Sequence, residues 1–212
     1  MYVALLSYLQ KNSGDFAMSI LQHVKISGIS VLVAVMVGGF LGILASKSER
    51  IYGLITGFFG ILRVIPSLAI LVVCMPFLGV GEFPSVFALT VLAIPPVLIN
   101  TAIAFRTLPE SVLEAAEGMG MEKAFLFFKV KLPLAMPLIL TGIRTASVEV
   151  IASATLAAYV GAGGLGKIIL TGLGLYRMDL LLLGGITVAA LSLLTDMIFL
   201  SVERHMTRYQ RS

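Results

Sequence analysis

The stretch 111–137, SVLEAAEGMGMEKAFLFFKVKLPLAMP, carries charge in a chain that otherwise has little of it. It gathers three glutamates, three lysines and three phenylalanines, although the whole chain is 58% hydrophobic and only 12% charged. Long apolar runs lie on both sides of this stretch. A charged, helix-forming segment between apolar runs predicts a connection outside the membrane that joins two membrane-spanning helices.

The apolar runs predict an all-α membrane protein. Runs of about 18 or more apolar residues are long enough to cross a bilayer as helices. The runs are continuous and do not alternate with polar residues, which favours helices over a β-barrel. We expect one transmembrane domain, 1–212, with about five spans, the second of them interrupted by Arg63 and Pro66. The expected spans are Ile26–Ala45, Ile51–Val80, Phe83–Phe105, Leu132–Val160 and Leu180–Leu200.

Three segments outside the spans complete the expected organisation. Residues 1–22 are expected to form an N-terminal interfacial segment with a polar turn at KNSGD, and residues 201–212 a cytoplasmic tail. Residues 1–19 lack a basic leader region, so we expect no cleaved signal peptide. The single cysteine, Cys74, lies in an apolar run and is expected to be a packing residue.

The distribution of basic residues predicts the orientation, because cytoplasmic segments are enriched in lysine and arginine. An N-terminus outside and a C-terminus in the cytoplasm place the stretch 107–131 in the cytoplasm. Nine basic residues then lie inside: Lys47, Arg50, Arg106, Lys123, Lys129, Lys131, Arg204, Arg208 and Arg211. Four lie outside: Lys11, Lys25, Lys167 and Arg177. The net charge of +4 is therefore explained by topology, and nucleic-acid binding is disfavoured.

Capping signals predict that the cytoplasmic stretch folds as a helix-turn-helix elbow, 107–131. Thr107 and Glu110 have the spacing of a capping box. Gly118 and Gly120 are expected to end the first helix, because glycine adopts the left-handed conformation that stops a helix. A second short helix is expected at 121–130, and it presents phenylalanines suited to docking a partner.

The elbow also resembles a family signature. Glu114-Ala115-Ala116, then Gly120, then Val130-x-Leu132-Pro133 looks like the EAA-x3-G-x9-I-x-LP signature of ABC importer permeases of type I, with valine at the isoleucine position. The stretches LRVIPSLAIL, KLPLAMPLILTGIRTA and ATLAAYVGAGGLG look most like permeases for glycine betaine, choline and carnitine. Permeases for methionine share the plan and are the alternative within the family.

The resemblance implies a transport subunit without catalysis of its own. Its elbow would be the coupling helix that docks on a separate cytoplasmic ATPase, which binds ATP and magnesium. The coupling residues it implies are Glu114, Ala115, Ala116, Gly120, Val130, Leu132 and Pro133. It also implies a second permease subunit, the same chain or a sister, and a separate extracytoplasmic binding protein, in the cell membrane of a prokaryote. The alternatives from other classes are an ATP-independent channel or secondary carrier and a membrane-embedded enzyme.

Four ionisable residues fall within the expected spans, where an unpaired charge costs about 2.5 kcal/mol or more. Counting residues from the span ends places Arg63 and Arg144 near mid-membrane, Glu149 further out, and Asp196 near the inner surface. We therefore hypothesise that Arg63 and Glu149 pair or line a hydrated cavity. Helix breaks are expected at Pro66-Ser67 and Pro95-Pro96, where freed backbone carbonyls would line a path for a solute through the membrane. The candidate path residues are Arg63, Pro66, Ser67, Asn100, Arg144, Glu149, Ser153 and Thr155.

The glycine-rich segment GAGGLG matches a dinucleotide fingerprint only in its letters, because no strand or βαβ unit is expected around it. We expect a tight outer-face turn formed by Gly161, Gly163, Gly164 and Gly166, near an external gate in the resembling family. Neither His23 nor His205 has neighbours at metal-ligand spacing, so no metal site is expected. The sequence has no P-loop motif for binding ATP.

Overall fold

The computed structural model describes residues 8 and 10–207, and these are mostly helical, with no strand among them. The chain also forms a π-helical turn, Phe127–Lys131, and a 3-10 helix, Leu156–Val160. The α-helices are α1 (Ser13–Ala45), α2 (Glu49–Leu62), α3 (Ser67–Leu78), α4 (Glu82–Arg106), α5 (Glu110–Gly118), α6 (Lys123–Leu126), α7 (Leu132–Ser153), α8 (Leu165–Gly174) and α9 (Met178–Thr207).

Four helices in the described residues are long and apolar enough to cross a membrane: α1, α4, the continuous helix Lys123–Ser153, and α9 over Met178–Met206. A fifth span is formed if α2 and α3 are counted together, although they meet at a bend of 90°. The predicted all-α membrane fold is confirmed, including the break at Arg63 and Pro66. The chain is a multi-pass membrane protein.

Helix α4 lies at the centre of the bundle, packed between α1 and α7. Glycines allow the close approach of its neighbours. A Cβ atom at Gly42 of α1 would lie 2.6 Å from Cβ of Thr101, and one at Gly142 of α7 would lie 2.7 Å from Cβ of Asn100. The Gly38-x3-Gly42 pattern therefore serves packing within this chain, whereas nothing lies within 4 Å of a Cβ at Gly53 or Gly57.

The first span begins earlier than the sequence predicted. Helix α1 starts at Ser13 and runs unbroken to Ala45, so the expected start at Ile26 is wrong. Phe16 and Ile20 pack against the apolar cluster around Leu165, which gives the added turns a buried face. The polar turn at KNSGD is reduced to a bend at Asn12, and residues 1–7 and 9 of the interfacial segment lie outside the described part.

The predicted helix break at Pro95-Pro96 is wrong. Helix α4 continues through both prolines to Arg106. Both rings are fully buried in the core, and Asn100 Nδ2 donates to the carbonyl of Pro96 at 2.8 Å. Apolar burial and packing on both sides offset the two backbone hydrogen bonds that the prolines cannot donate. The break predicted at Pro66 is present: α2 ends at Leu62, α3 starts at Ser67, and the Ala69 N–H donates to the carbonyl of Pro66 at 2.9 Å.

Candidate functional site

The elbow consists of α5, a left-handed turn at Gly120, and α6. Gly120 has φ of +76°, and its N–H donates to the carbonyl of Glu117 at 2.9 Å. The predicted glycine stop is therefore confirmed. Ala116 of α5 and Leu126 of α6 are both buried, so each helix has one side covered by the rest of the protein.

Two details of the elbow differ from the prediction. Thr107 is not an N-cap, since its hydroxyl donates to the carbonyl of Ile103 at 3.0 Å and α5 begins at Glu110. The second helix does not stop at Val130. It passes through the π-helical turn into α7, so that Val130 lies in that turn, while Leu132 and Pro133 open α7. A widened turn lets the helix continue into a proline without the usual clash.

The outer side of the elbow is an exposed surface of mixed character, which we call the elbow surface. It carries apolar side chains, Met119, Phe125 and Phe128, that are 70%, 53% and 64% exposed. Its exposed acidic and small residues are Glu110, Glu114, Ala115, Glu117, Gly118 and Gly120. Exposed aromatic side chains ringed by charges are typical of a protein docking surface.

Aromatic stacking holds the elbow against the membrane helices. The rings of Phe105 in α4 and Phe127 in the π-helical turn are stacked, with centroids 5.6 Å apart. At the same end of α4, Arg106 pairs with Glu49 and lies 4.4 Å from the ring centroid of Tyr52. The aromatic stack thus ties the π-helical turn to α4, and the contacts of Arg106 tie the same end of α4 to α2.

A second polar centre lies between α7 and α9. Arg144 Nε lies 2.5 Å from Asp196 Oδ1, its Nη2 lies 3.1 Å from Oδ2, and its Nη1 lies 3.7 Å from a Glu203 oxygen. Arg144 thus has its partner on another helix, and Asp196, which was expected nearer the inner surface, is in direct contact with it.

The hypothesised Arg63–Glu149 ion pair is not formed, since no nitrogen–oxygen distance between them is 4.0 Å or less. Residue counting along straight spans does not account for the bend that follows Arg63. Arg144 and Glu149 line one open groove of about 470 Å³, together with Thr141, Thr145, Val148 and Asp196.

The remaining path candidates are not gathered at this groove. Pro66 and Ser67 form the break before α3, and Asn100 is used in the α4–α7 contact beside Gly142. Ser153 ends α7, and Thr155 lies just beyond it, donating to the carbonyl of Ala152 at 2.8 Å. The structure therefore brings together Arg144 and Glu149 but does not add these other residues to them.

The glycine segment forms a compact turn against the start of α1. Gly161, Gly163 and Gly164 have positive φ angles of 81°, 79° and 70°. The Gly164 N–H donates to Oε1 of Gln22 at 3.1 Å. Gly166 lies within α8, where a side chain would collide with the backbone oxygen of Thr155. The expected tight turn is present, although its fourth glycine serves packing.

Two side-chain interactions on this side of the protein, made by His23 and Arg177, were not predicted from the sequence. His23 is buried, with Nε2 3.0 Å from the carbonyl oxygen of Ile151, and so it links α1 to α7. The sequence did not predict this link, because the first span was expected to begin only at Ile26. Arg177 pairs with Asp179 through two hydrogen bonds of 3.2 and 2.5 Å. This hydrogen bonding raises the pKa of the Arg177 guanidinium, which therefore stays charged.

Within residues 8 and 10–207, no group of three or more histidine, cysteine, aspartate or glutamate side chains is arranged to hold a metal ion. The polar centres found are ion pairs, helix contacts and the elbow surface. Such an arrangement can dock a partner and accommodate a solute.

Comparison with known proteins agrees with this geometry. The family model described as "Binding-protein-dependent transport system inner membrane component" matches residues 8–208. The carnitine transport permease protein OpuCB of Listeria monocytogenes is 39% identical over 204 residues, which cover 96% of this chain and 94% of that protein. The choline transport system permease protein OpuBB of Bacillus subtilis is 37% identical over 203 residues, with 96% and 94% covered.

A solved structure has the same fold. An inward-facing structure of the MetNI methionine ABC transporter matches with a TM-score of 0.82, covering 91% of this chain and 96% of that one. The sequence identity is 21%, so this likeness bears on the fold alone.

Proposed function

The chain belongs to the family of inner membrane components of binding-protein-dependent transport systems, and on that premise we propose that it is the permease subunit of an ATP-driven importer for quaternary-amine osmoprotectants. The family resemblance read from the elbow motif is thereby confirmed. The observation that carries the substrate class is near full-length identity of 39% and 37% to permeases named for carnitine and choline.

The proposed partners supply the parts of an importer other than this permease chain: the ATPase, a second permease subunit and a binding protein. The elbow surface would dock on a cytoplasmic ATPase subunit, which would bind ATP with magnesium and hydrolyse it. The residues proposed for this coupling are Glu114, Ala115, Ala116, Gly120, Val130, Leu132 and Pro133. A second permease subunit, the same chain or a sister, would complete the path, and a separate binding protein would deliver the solute from outside.

The mechanism we propose is alternating access without covalent chemistry in this chain. ATP binding draws the two ATPase subunits together and moves the two elbows. Because α6 is continuous with α7, this motion passes directly into the membrane helices. The path then opens outward to receive the solute, and ATP hydrolysis returns it to the inward-open state.

The orientation and the path residues belong to the same proposal. The bias of basic residues supports an N-terminus outside and a C-terminus in the cytoplasm. Arg63, Pro66, Ser67, Asn100, Arg144, Glu149, Ser153 and Thr155 are proposed for the path. The turn containing Gly161, Gly163, Gly164 and Gly166 is proposed for its outer gate.

Uptake by the reconstituted importer tests the proposed function. The chain, its ATPase and its binding protein are placed in proteoliposomes, and ATP-dependent uptake of labelled glycine betaine, carnitine, choline and methionine is measured. We expect uptake of at least one quaternary amine and none of methionine. Methionine uptake without any quaternary amine would contradict the substrate assignment, and uptake without ATP would favour a channel or secondary carrier.

A further inference from the structure

An apolar crevice lies between α1, α7 and α9, apart from the elbow surface and from the groove beside Glu149. Helices α1 and α9 both pack on α7 but make little contact with each other, and a space of about 240 Å³ is left between the three. Most of its walls are apolar, with Val31 on α1 and Leu191 and Phe199 on α9. An apolar cavity of about 150 Å³ is already large enough to stay dry and take up benzene, so this crevice favours an apolar occupant.

The crevice opens on the outer surface of two spanning helices. Val24, in its wall, is exposed, and nothing lies within 4 Å of a Cβ atom at Gly28, which also lines it. The next exposed side chains on α9, Leu194 and Ile198, are apolar as well. Both α1 and α9 are long and apolar enough to cross a membrane. The crevice is therefore continuous with a surface whose surrounding molecules in a membrane are lipids.

The depth of the crevice matches the layers of a bilayer. Lys25 of α1 pairs with Glu82, the first residue of α4, at 2.7 Å, and such an exposed ion pair at the helix ends marks the membrane–water interface. At 1.5 Å per residue, Ser27 lies about 3 Å deeper than Lys25, and Val31 about 9 Å deeper. The crevice thus runs from the interfacial layer, where the ester groups of lipids lie, into the hydrocarbon layer.

The interfacial end of the crevice holds a hydroxyl group without a partner. Ser27 is 3% exposed, and its hydroxyl makes no hydrogen bond among the described residues. Two other polar side chains of the crevice are already engaged: His23 Nε2 lies 3.0 Å from the carbonyl oxygen of Ile151, and the Ser147 hydroxyl donates to the carbonyl of Ile143 at 2.8 Å. A buried hydroxyl without a partner costs free energy, so Ser27 is left to donate to an acceptor from outside the chain.

We propose that this crevice binds one acyl chain of a membrane phospholipid, with an ester carbonyl of the same lipid accepting a hydrogen bond from Ser27. The acyl chain lies along Val31, Leu191 and Phe199 and fills the space between α1 and α9. It supplies the apolar surface that these walls require, and the ester supplies the acceptor that the hydroxyl lacks. The site does not depend on which solute the importer carries.

Retention of lipid by the full-length permease tests the site. The protein is purified in mild detergent with palmitoyl-oleoyl phosphatidylglycerol or with its diether analogue, which has no ester carbonyl, and bound lipid is measured by native mass spectrometry. The wild type should retain the ester lipid and less of the diether. Gly28→Leu places a side chain in the crevice and should lose most of the retained lipid. Ser27→Ala should retain the two lipids equally.

Gly39→Leu provides the matched control, because Gly39 also lies in α1 with nothing within 4 Å of a Cβ atom and does not line the crevice. It should retain lipid as the wild type does. Leu191→Phe narrows the crevice from α9 and should lose lipid too, so the test does not depend on one variant of α1. Thermal unfolding verifies that each variant is folded.

Photolabelling locates the lipid in the assembled importer. A phosphatidylglycerol with a diazirine in its acyl chain should label the crevice side of α9 in the wild type and in Gly39→Leu, and much less in Gly28→Leu.

Three outcomes would overturn the proposal. The first is equal lipid retention by Gly28→Leu and Gly39→Leu, or a wild type that retains no phospholipid. The second is a preference for the ester lipid that survives in Ser27→Ala, since the ester would then not bind at that hydroxyl. The third is labelling of α9 in the isolated permease but not in the assembled importer, because a second permease subunit would then cover the crevice.

Discussion

Gly120 shows how a single residue shapes the surface offered to a partner. Its φ of +76° is rarely adopted by residues with a side chain, although a Cβ there would meet nothing within 4 Å. The cost of replacing it is therefore conformational and not steric. Two positions earlier, Gly118 lies at the end of α5 with ordinary helical geometry and equally open surroundings.

Gly120→Ala should weaken assembly with the ATPase, because the left-handed conformation costs an L-residue about 1–2 kcal/mol. The population of competent elbows would fall about fivefold or more, and the apparent affinity with it. Binding of the purified ATPase subunit to the permease in nanodiscs measures this effect. Gly118→Ala is the matched comparison, because it adds the same methyl group to the elbow surface without the left-handed strain, and it should weaken binding less than Gly120→Ala does. Equal affinities for both variants would contradict the role of the turn.

The turn that ends the first helix of the elbow was predictable from the sequence, but the partners of individual side chains were not. The glycine stop follows from the backbone preference of one residue type. The capping assignment of Thr107 failed because its hydroxyl had a competing acceptor, the Ile103 carbonyl, one turn back in α4. The Arg63–Glu149 pairing failed because a count along straight helices contains neither their rotation nor the bend between α2 and α3.

At the scale of whole helices, an ion pair between Arg144 and Asp196 joins α7 to α9. Arg144 and Asp196 are each about one-third exposed or less, with 28% and 34% of their side chains accessible. The pair bridges two helices that are far apart in sequence. The Arg177–Asp179 pair has similar bidentate geometry but joins residues two positions apart at the start of α9.

Arg144→Ala should destabilise the protein by about 2 kcal/mol, between the values for exposed and buried pairs, because it removes the bidentate cation of Asp196. Thermal unfolding in nanodiscs measures the loss. The double variant Arg144→Met with Asp196→Leu should recover much of it, since one uncompensated charge is removed. Arg177→Ala should cost less, because its pair does not hold two elements together. A loss from Arg177→Ala as large as that from Arg144→Ala would contradict this account.

Element positions followed from hydropathy, whereas element ends depended on packing. Four of the five apolar runs became single helices long enough to span a membrane, and the second became two helices that meet at 90°, at the break predicted at Pro66. The start of α1 was missed because Phe16 and Ile20 gain their burial from α8, which no local pattern reveals. The Pro95-Pro96 break was wrongly expected, since burial of both rings between α1 and α7 is a property of the bundle.

At the scale of the whole molecule, the proposed orientation puts the elbow and the α8–α9 connection on opposite sides of the membrane. Both sites offer exposed positions, Met119 at 70% and Leu175 at 62%. The chain has one cysteine, Cys74, so a Cys74→Ser background provides a clean starting point.

Single cysteines in that background test the orientation. A membrane-impermeant maleimide should label Leu175→Cys in intact cells and Met119→Cys only after the membrane is permeabilised. The physical reason is the excess of basic residues on the elbow side, which are retained in the cytoplasm. The reverse labelling pattern would contradict an outside N-terminus.

One continuous helix, Lys123–Ser153, connects the elbow to the groove, so that a movement at one end can be transmitted to the other. Gly142 of α7 lies in close contact with α4, since a Cβ there would lie 2.7 Å from Cβ of Asn100. From there the arm to Phe125 is about 26 Å and the arm to Glu149 about 10 Å, at 1.5 Å per residue. A displacement of about 5 Å at the elbow would then become about 2 Å at Glu149, in the opposite direction. A rigid helix that pivots at this contact would therefore convert a large movement of a docked partner into a small movement in the opposite direction beside the groove.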